Sequence, residues 1–238
     1  MALWLKFQRL GRVAEVLKVM ESEQYAIGAR ALAFWEITSV VVSCFIAEWV
    51  ILSFFSRSRT LVIVPVLLAL GLMFLSHRAH GETLRDLGFR ADNLLSSLRL
   101  LVLPTLVAVV VILVGGWFLS DGHFGPGQFR ARMIFVPPWA LLQQYALQGY
   151  INRRTQILVG SGWHSVVVVG VIFSLVHLPN PLLACLTLVG GIIWAAVYQS
   201  QPNIFALAIS HSIASICVAW AIPLGFTNGL RVGFKYFG

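Results

Sequence analysis

"LLQQYALQGYINRR", residues 141–154, lies in one of the most apolar parts of a 238-residue chain. Gln143, Gln144 and Gln148 stand where a membrane helix normally carries leucine or alanine. A buried amide costs free energy unless it finds a partner, and hydrocarbon holds no water to supply one. Amides in such a run imply a helix whose polar side faces other helices.

The rest of the chain has the composition this requires. It is 58% hydrophobic and 11% charged, where a soluble domain carries about 25% charged residues. With a mean hydropathy of +0.85, it reads as an integral, multi-pass membrane protein. Seven apolar segments are visible, near 37–55, 60–76, 100–120, 133–152, 163–178, 182–198 and 203–222. The expected fold is an all-α, polytopic membrane helix bundle of about 7–8 transmembrane helices. "LPNP" at 178–181 breaks the fifth segment from the sixth.

The net charge of +8 does not indicate a nucleic-acid partner. Lysines and arginines fall in the short connections, where they set topology and meet lipid headgroups. Counting them places the N-terminus on the cytoplasmic side. Lys6, Arg9, Arg12, Lys18, Arg30, Arg78, Arg85, Arg90, Arg99, Arg153 and Arg154 outnumber Arg57, Arg59, Arg130, Arg132, Arg231 and Lys235. Residues 1–30 carry Lys6, Arg9, Arg12, Glu15 and Lys18 at every third position, so no signal-peptide core forms. They read as an amphipathic N-terminal segment in the headgroup plane, or as a loosely ordered basic tail. Residues 31–238 then form the multi-pass membrane domain. The polar insert 77–99 reads as a short amphipathic helix. Cys44, Cys185 and Cys217 lie in apolar runs without metal or disulfide spacing, and read as small buried packing residues.

Polar side chains in the last four segments recur at helical spacing. Gln144 and Gln148, Phe173 and His177, and His211 and Ser215 are each four residues apart, so each pair shares a helix face. Interhelical hydrogen bonds alone explain one such pair, at about 0.6 kcal/mol on average in such bundles. Three clusters on neighbouring segments point instead to a site.

"PPWALLQQYALQGYINRR", "GVIFSLVHLPN" and "GGIIWAAVYQSQPNIFALAISHSIAS" together resemble the CPBP family of intramembrane proteases. That family includes the type 2 CAAX prenyl proteases and the lysostaphin-resistance relatives. Its motifs are EExxxR, FxxxH, and HxxxN or HxxxD. "LRDLGF" is similar to an upstream segment of many members. The resemblance covers 84–92 and 134–216, the latter being the CPBP-like core. It implies intramembrane endopeptidase cleavage of a membrane-associated or lipidated protein, without a cofactor or metal. The family-equivalent catalytic positions are Gln143, Gln144, His177 and His211, with Gln148, Phe173 and Ser215 supporting the cavity.

The departures bear on the chemistry. The family's two glutamates fall on Gln143 and Gln144, its arginine on Gln148, and its final Asn or Asp on Ser215. A carboxylate can accept a proton at neutral pH and an amide cannot. General-base help is worth about 10²–10⁴-fold in rate, so QQxxxQ implies impaired catalysis. All three motif charges are absent together. An arginine left without acids at mid-membrane would cost about 2.5–3.5 kcal/mol, so the triple replacement is self-consistent.

Other groups offer partial substitutes. Glu48, deep in the first apolar segment, is a candidate replacement base or a structural ion-pair partner. Ser215 is a candidate nucleophile beside His211, although membrane serines more often bond the i−4 carbonyl. His177 and His211 lack a third strong ligand for zinc. The rival reading is a non-catalytic peptide-binding, scaffold or accessory subunit of a membrane complex. A transporter would want a charge relay or inverted repeats, and neither is visible.

Overall fold

The computed structural model describes residues 2–54, 59–119 and 129–238. Among them, the regular elements are helices and none is a strand. Helix α1 (Ala2–Phe45) continues through a π-helical turn, Ile46–Ile51, into α2 (Leu52–Phe54). Then come α3 (Arg59–Ala79), α4 (Leu94–Leu119) and α5 (Phe129–Gln144). The last runs on through a second π-helical stretch, Tyr145–Asn152, into α6 (Arg153–Val159). Helices α7 (Trp163–Leu175), α8 (Pro181–Ser200), α9 (Ile204–Ala221) and α10 (Leu224–Thr227) complete the bundle, followed by 3₁₀ turns at Asn228–Leu230 and Gly233–Phe237.

Among the described residues, four stretches are long and apolar enough to cross a membrane: Lys18–Ile51, Leu94–Leu119, Pro181–Ser200 and Ile204–Ala221. Ile63–Ala79 and Trp163–Leu175 are apolar but shorter. Their outer faces carry exposed leucine, valine and phenylalanine, such as Leu67, Leu103, Val111 and Phe118, which only a lipid solvent rewards. The chain is an all-α membrane helix bundle.

Helix α9 is the central post. Ile204, Ala206 and Leu207 are fully buried, among residues of the main core such as Phe173, Trp194 and Tyr198. Asparagines start the last two long helices. Asn180 accepts from Leu183 N at 3.1 Å and Asn203 from Ala206 N at 2.9 Å, each satisfying a free N–H of the first turn. Glycines set the spacing between α7 and α8. A Cβ on Gly170 would stand 2.6 Å from Ile192 Cγ1, and one on Gly191 would stand 3.0 Å from Gly170 Cα. Without these side chains the backbones approach closely, the usual device of membrane helix pairs.

Two expectations are corrected here. The insert between α3 and α4 is not an amphipathic helix but a series of turns. Gly81 and Gly88 adopt φ of 64° and 91°, and Asp86 Oδ2 accepts from Thr83 N at 2.8 Å. These local bonds satisfy the backbone in place of a helical ladder. Cys44 and Cys185 are exposed and Cys217 is half-buried. An outward face bathed in lipid tolerates a small apolar thiol as readily as the core does.

Residues 2–30 are helical and run without a break into the apolar part of α1. The side chains of residues 1–17, which carry the amphipathic reading, lie outside the described residues, as do those of Arg57, Arg59, Arg130 and Arg132 from the orientation count.

Candidate functional site

The π-helical stretch begins immediately after Gln144. Such widened turns recur at functional sites because they break the regular hydrogen-bond ladder. Gln144 is fully buried, and its Nε2 donates to His211 Nδ1 on α9 at 3.3 Å. His211 Nδ1 therefore accepts in this arrangement, leaving the proton on Nε2. Gln144 Oε1 is buried without a hydrogen-bond partner among the described residues.

His177 lies just past the end of α7, in the turn that leads to Pro179 and Asn180. Its Nδ1 is 2.7 Å from Phe173 O. A carbonyl only accepts, so Nδ1 carries the hydrogen and Nε2 keeps its lone pair. The Phe173 ring meets both histidines edge-on, with centroids 4.7 Å from His177 and 5.9 Å from His211. Trp194 lies against the other side of His211 at 4.5 Å. Trp194 Nε1 donates to Ser210 Oγ at 3.1 Å, and Ser210 Oγ is 2.7 Å from Thr105 Oγ1.

A cavity of about 620 Å³ runs from this cluster between α4, α8 and α9. At one end stand Thr105, Trp194, Ser210 and His211. Toward the other are aliphatic side chains, among them Ile112, Leu183, Leu186, Val218 and Leu230. Leu103, Val107 and Val111 line it and are also exposed on the outer surface of α4, so the cavity is a groove reached from the lipid side.

The structure brings Gln144, Phe173, His177 and His211 together. Gln148 joins a different set of bonds. It is fully buried, and its Oε1 accepts from Asn152 Nδ2 at 2.8 Å. Asn152 Oδ1 in turn accepts from Gln156 at 3.1 Å and from Gln199 at 2.9 Å. Gln199 also donates to Ser165 Oγ at 2.9 Å. This amide network ties the π-helical stretch to α7 and α8, while Gln148 Nε2 has no hydrogen-bond partner among the described residues. Gln143 is half-buried beside the cluster in sequence. Ser215 lines the groove one turn below His211.

Glu48 sits on the first π-helical turn, half-buried, with the C-terminal turn against it. A Cβ on Gly233 would stand 2.6 Å from Glu48 O. Lys235 is its electrostatic neighbour. Among the described residues, no hydrogen bond or ion pair joins Glu48 to either histidine. No group of three His, Cys, Asp or Glu among the described residues is arranged to hold a metal ion.

One cluster is not evident from sequence spacing. The side chain of Arg154 is fully buried. It donates to Glu82 Oε1 at 3.0 Å and Oε2 at 2.8 Å, and to Ser76 Oγ at 2.8 Å. Its Nε lies 2.9 Å from Glu36 Oε2, a charge contact without hydrogen-bond alignment. Arg153 Nε and His77 Nδ1 also reach Glu82, at 2.7 and 2.6 Å. Burial pushes the Glu82 carboxyl up, but hydrogen bonds from His77, Arg154 and Arg153 outweigh it and hold the group well below the usual carboxylate range. The cluster joins α1, α3, the following turns and α6, and so anchors the helix that carries Gln144.

Residues 128–217 match the family model of the type II CAAX prenyl endopeptidase Rce1-like proteins. Over these 90 residues the chain is similar to that family. The matched residues span the glutamine helix, both histidines and most of α9. Searches of curated proteins and of solved structures found no match.

Proposed function

We propose that this CAAX endopeptidase homologue binds a lipidated peptide, with its apolar chain in the groove and its peptide end at Gln144, His177 and His211. Hydrolysis is impaired because Gln143 and Gln144 stand at the general-base positions. The carrying observation is the groove's polarity. Thr105, Ser210 and His211 gather at one end with Ser215 one turn on, while Thr187, toward the other end, spends its hydroxyl on Leu183 O and otherwise aliphatic residues line the length. A ligand with a long apolar tail and one polar head matches that order.

His177 Nε2 offers a lone pair to a water or an amide N–H, and His211 Nε2–H offers a donor to a carbonyl or developing oxyanion. Gln144 Oε1 adds an acceptor, but no group in the cluster does what a carboxylate base does. The protein lies in the membrane with its N-terminus cytoplasmic, and its partners are the bilayer and a membrane-associated or lipidated protein.

The test uses purified protein in nanodiscs and a prenylated peptide, with binding and cleavage measured separately. Binding with little or no turnover is expected, and His211→Trp should abolish the binding. Turnover at a rate typical of glutamate-bearing relatives would refute the impairment. Failure to bind any lipidated peptide, with a membrane complex co-purifying, would establish the scaffold reading instead.

A further inference from the structure

The C-terminal tail contributes Leu230 to the aliphatic end of the groove, and the backbone there is strained. Leu230 lines the groove and packs on the cluster of Ile112, Val218, Ala221 and Ile222. Its φ is 60°, and that of Asn228 is 46°. Side chains rarely adopt this left-handed conformation, because the Cβ crowds the following carbonyl. Nothing local to the turn requires leucine, and glycine would relieve the crowding.

The surrounding bonds hold this conformation from both sides. Asn180, fully buried, donates through Nδ2 to Thr227 O at 2.9 Å and Arg231 O at 3.1 Å. Gly233 N donates to Leu178 O at 2.9 Å. The tail is therefore fastened to the same turn that carries His177, and Leu230 is aimed into the groove from there.

The distance between the two ends is fixed by rigid helices. Along α9, His211 and Val218 are separated by about 10 Å at ~1.5 Å per residue. Along α4, Thr105 and Ile112 span the same interval, with Thr105 bonded to Ser210 and Ile112 packed by Val218. The polar head site and the Leu230 wall are thus set apart by a constant length.

We infer that Leu230 is a length gauge: it is the end wall that limits how long a lipid chain the groove accepts when the peptide head sits at His211. This rests on the lipidated-peptide reading above and adds a specificity-determining residue to it. The occupant is an isoprenoid chain on a peptide.

The experiment measures binding of peptides bearing a farnesyl or a geranylgeranyl group to the protein in nanodiscs. Wild type, Leu230→Ala and Leu230→Gly are compared. Wild type should favour the shorter chain. Both variants should raise relative affinity for the longer chain by about tenfold, the effect of burying roughly two more methylenes. The alanine variant retains a Cβ and covers the case in which the glycine variant fails to fold. An unchanged ratio in variants that still bind both peptides would overturn the gauge and leave the groove reading intact. Absence of binding to wild type would overturn both.

Discussion

Gln144 Nε2 lies 3.3 Å from Nδ1 of His211, across the interface between the π-helical stretch and α9. The contact keeps the shape of an acid–imidazole pair without its charge. The amide fixes the His211 tautomer, yet it cannot take a proton from a water. The position serves orientation, with an amide nitrogen donating where a carboxylate oxygen would accept.

The Arg154 cluster is the main electrostatic anchor of this helix. Replacing Arg154 with alanine leaves Glu36 without its cation and removes two of the four side-chain hydrogen bonds to Glu82. Removing one partner of a buried pair costs about 3–5 kcal/mol, so Arg154→Ala should lower the unfolding midpoint in detergent markedly. An unchanged midpoint would show that Arg153 and His77 together satisfy Glu82.

The same cluster sets an acid limit. The folded-state pKa of Glu82 is depressed, so its stabilisation is complete above the ordinary glutamate range, near about 4.3, and is lost as pH falls below it. Asp92, paired with Arg90 and Arg85, is pulled down to about 2 and acts in the same direction. Midpoints recorded from pH 7 downward should hold until the carboxylate range and then fall. Glu82→Gln should be less stable throughout and show a shallower acid slope; an identical slope would assign the acid limit to other carboxylates.

Glu48 is held by the C-terminal turn, and this location argues for a structural role. Glu48→Gln should leave peptide binding and any residual turnover within about twofold. Loss of turnover in a variant that folds and binds normally would make Glu48 the replacement base.

The bundle was legible because apolar segment length and proline breaks are local signals. The i,i+4 spacing also gave Phe173 with His177, although His177 reaches Phe173 from a turn beyond the helix. Gln148 bonds to Asn152, a partner that the spacing does not reveal, because a π-helical stretch interrupts the regular ladder there. Glu36, Glu82 and Arg154 were hidden for another reason. Charges at segment ends read as topology signals, and their convergence depends on packing between distant helices. The turns of 80–93 were misread because Gly81, Gly88 and the Thr83–Asp86 bond outweigh a weak amphipathic pattern.

The glutamine helix should accept the family's charges if they are restored together. Gln and Glu are nearly isosteric, so Gln143→Glu with Gln144→Glu needs little backbone movement. That double variant buries carboxylates without a compensating cation, and it should express poorly. Adding Gln148→Arg places a guanidinium one turn away, within reach of Asn152 Oδ1 as well as the new carboxylates, and should restore expression. The triple variant should also gain cleavage of a prenylated peptide, since a general base contributes about 10²–10⁴-fold. Parent, double and triple variants are compared for expression, peptide binding and turnover. A triple variant that folds and binds the peptide but does not cleave it would mean that the histidines no longer hold a water in line with the peptide bond. The chain would then be a binding protein built on a protease frame.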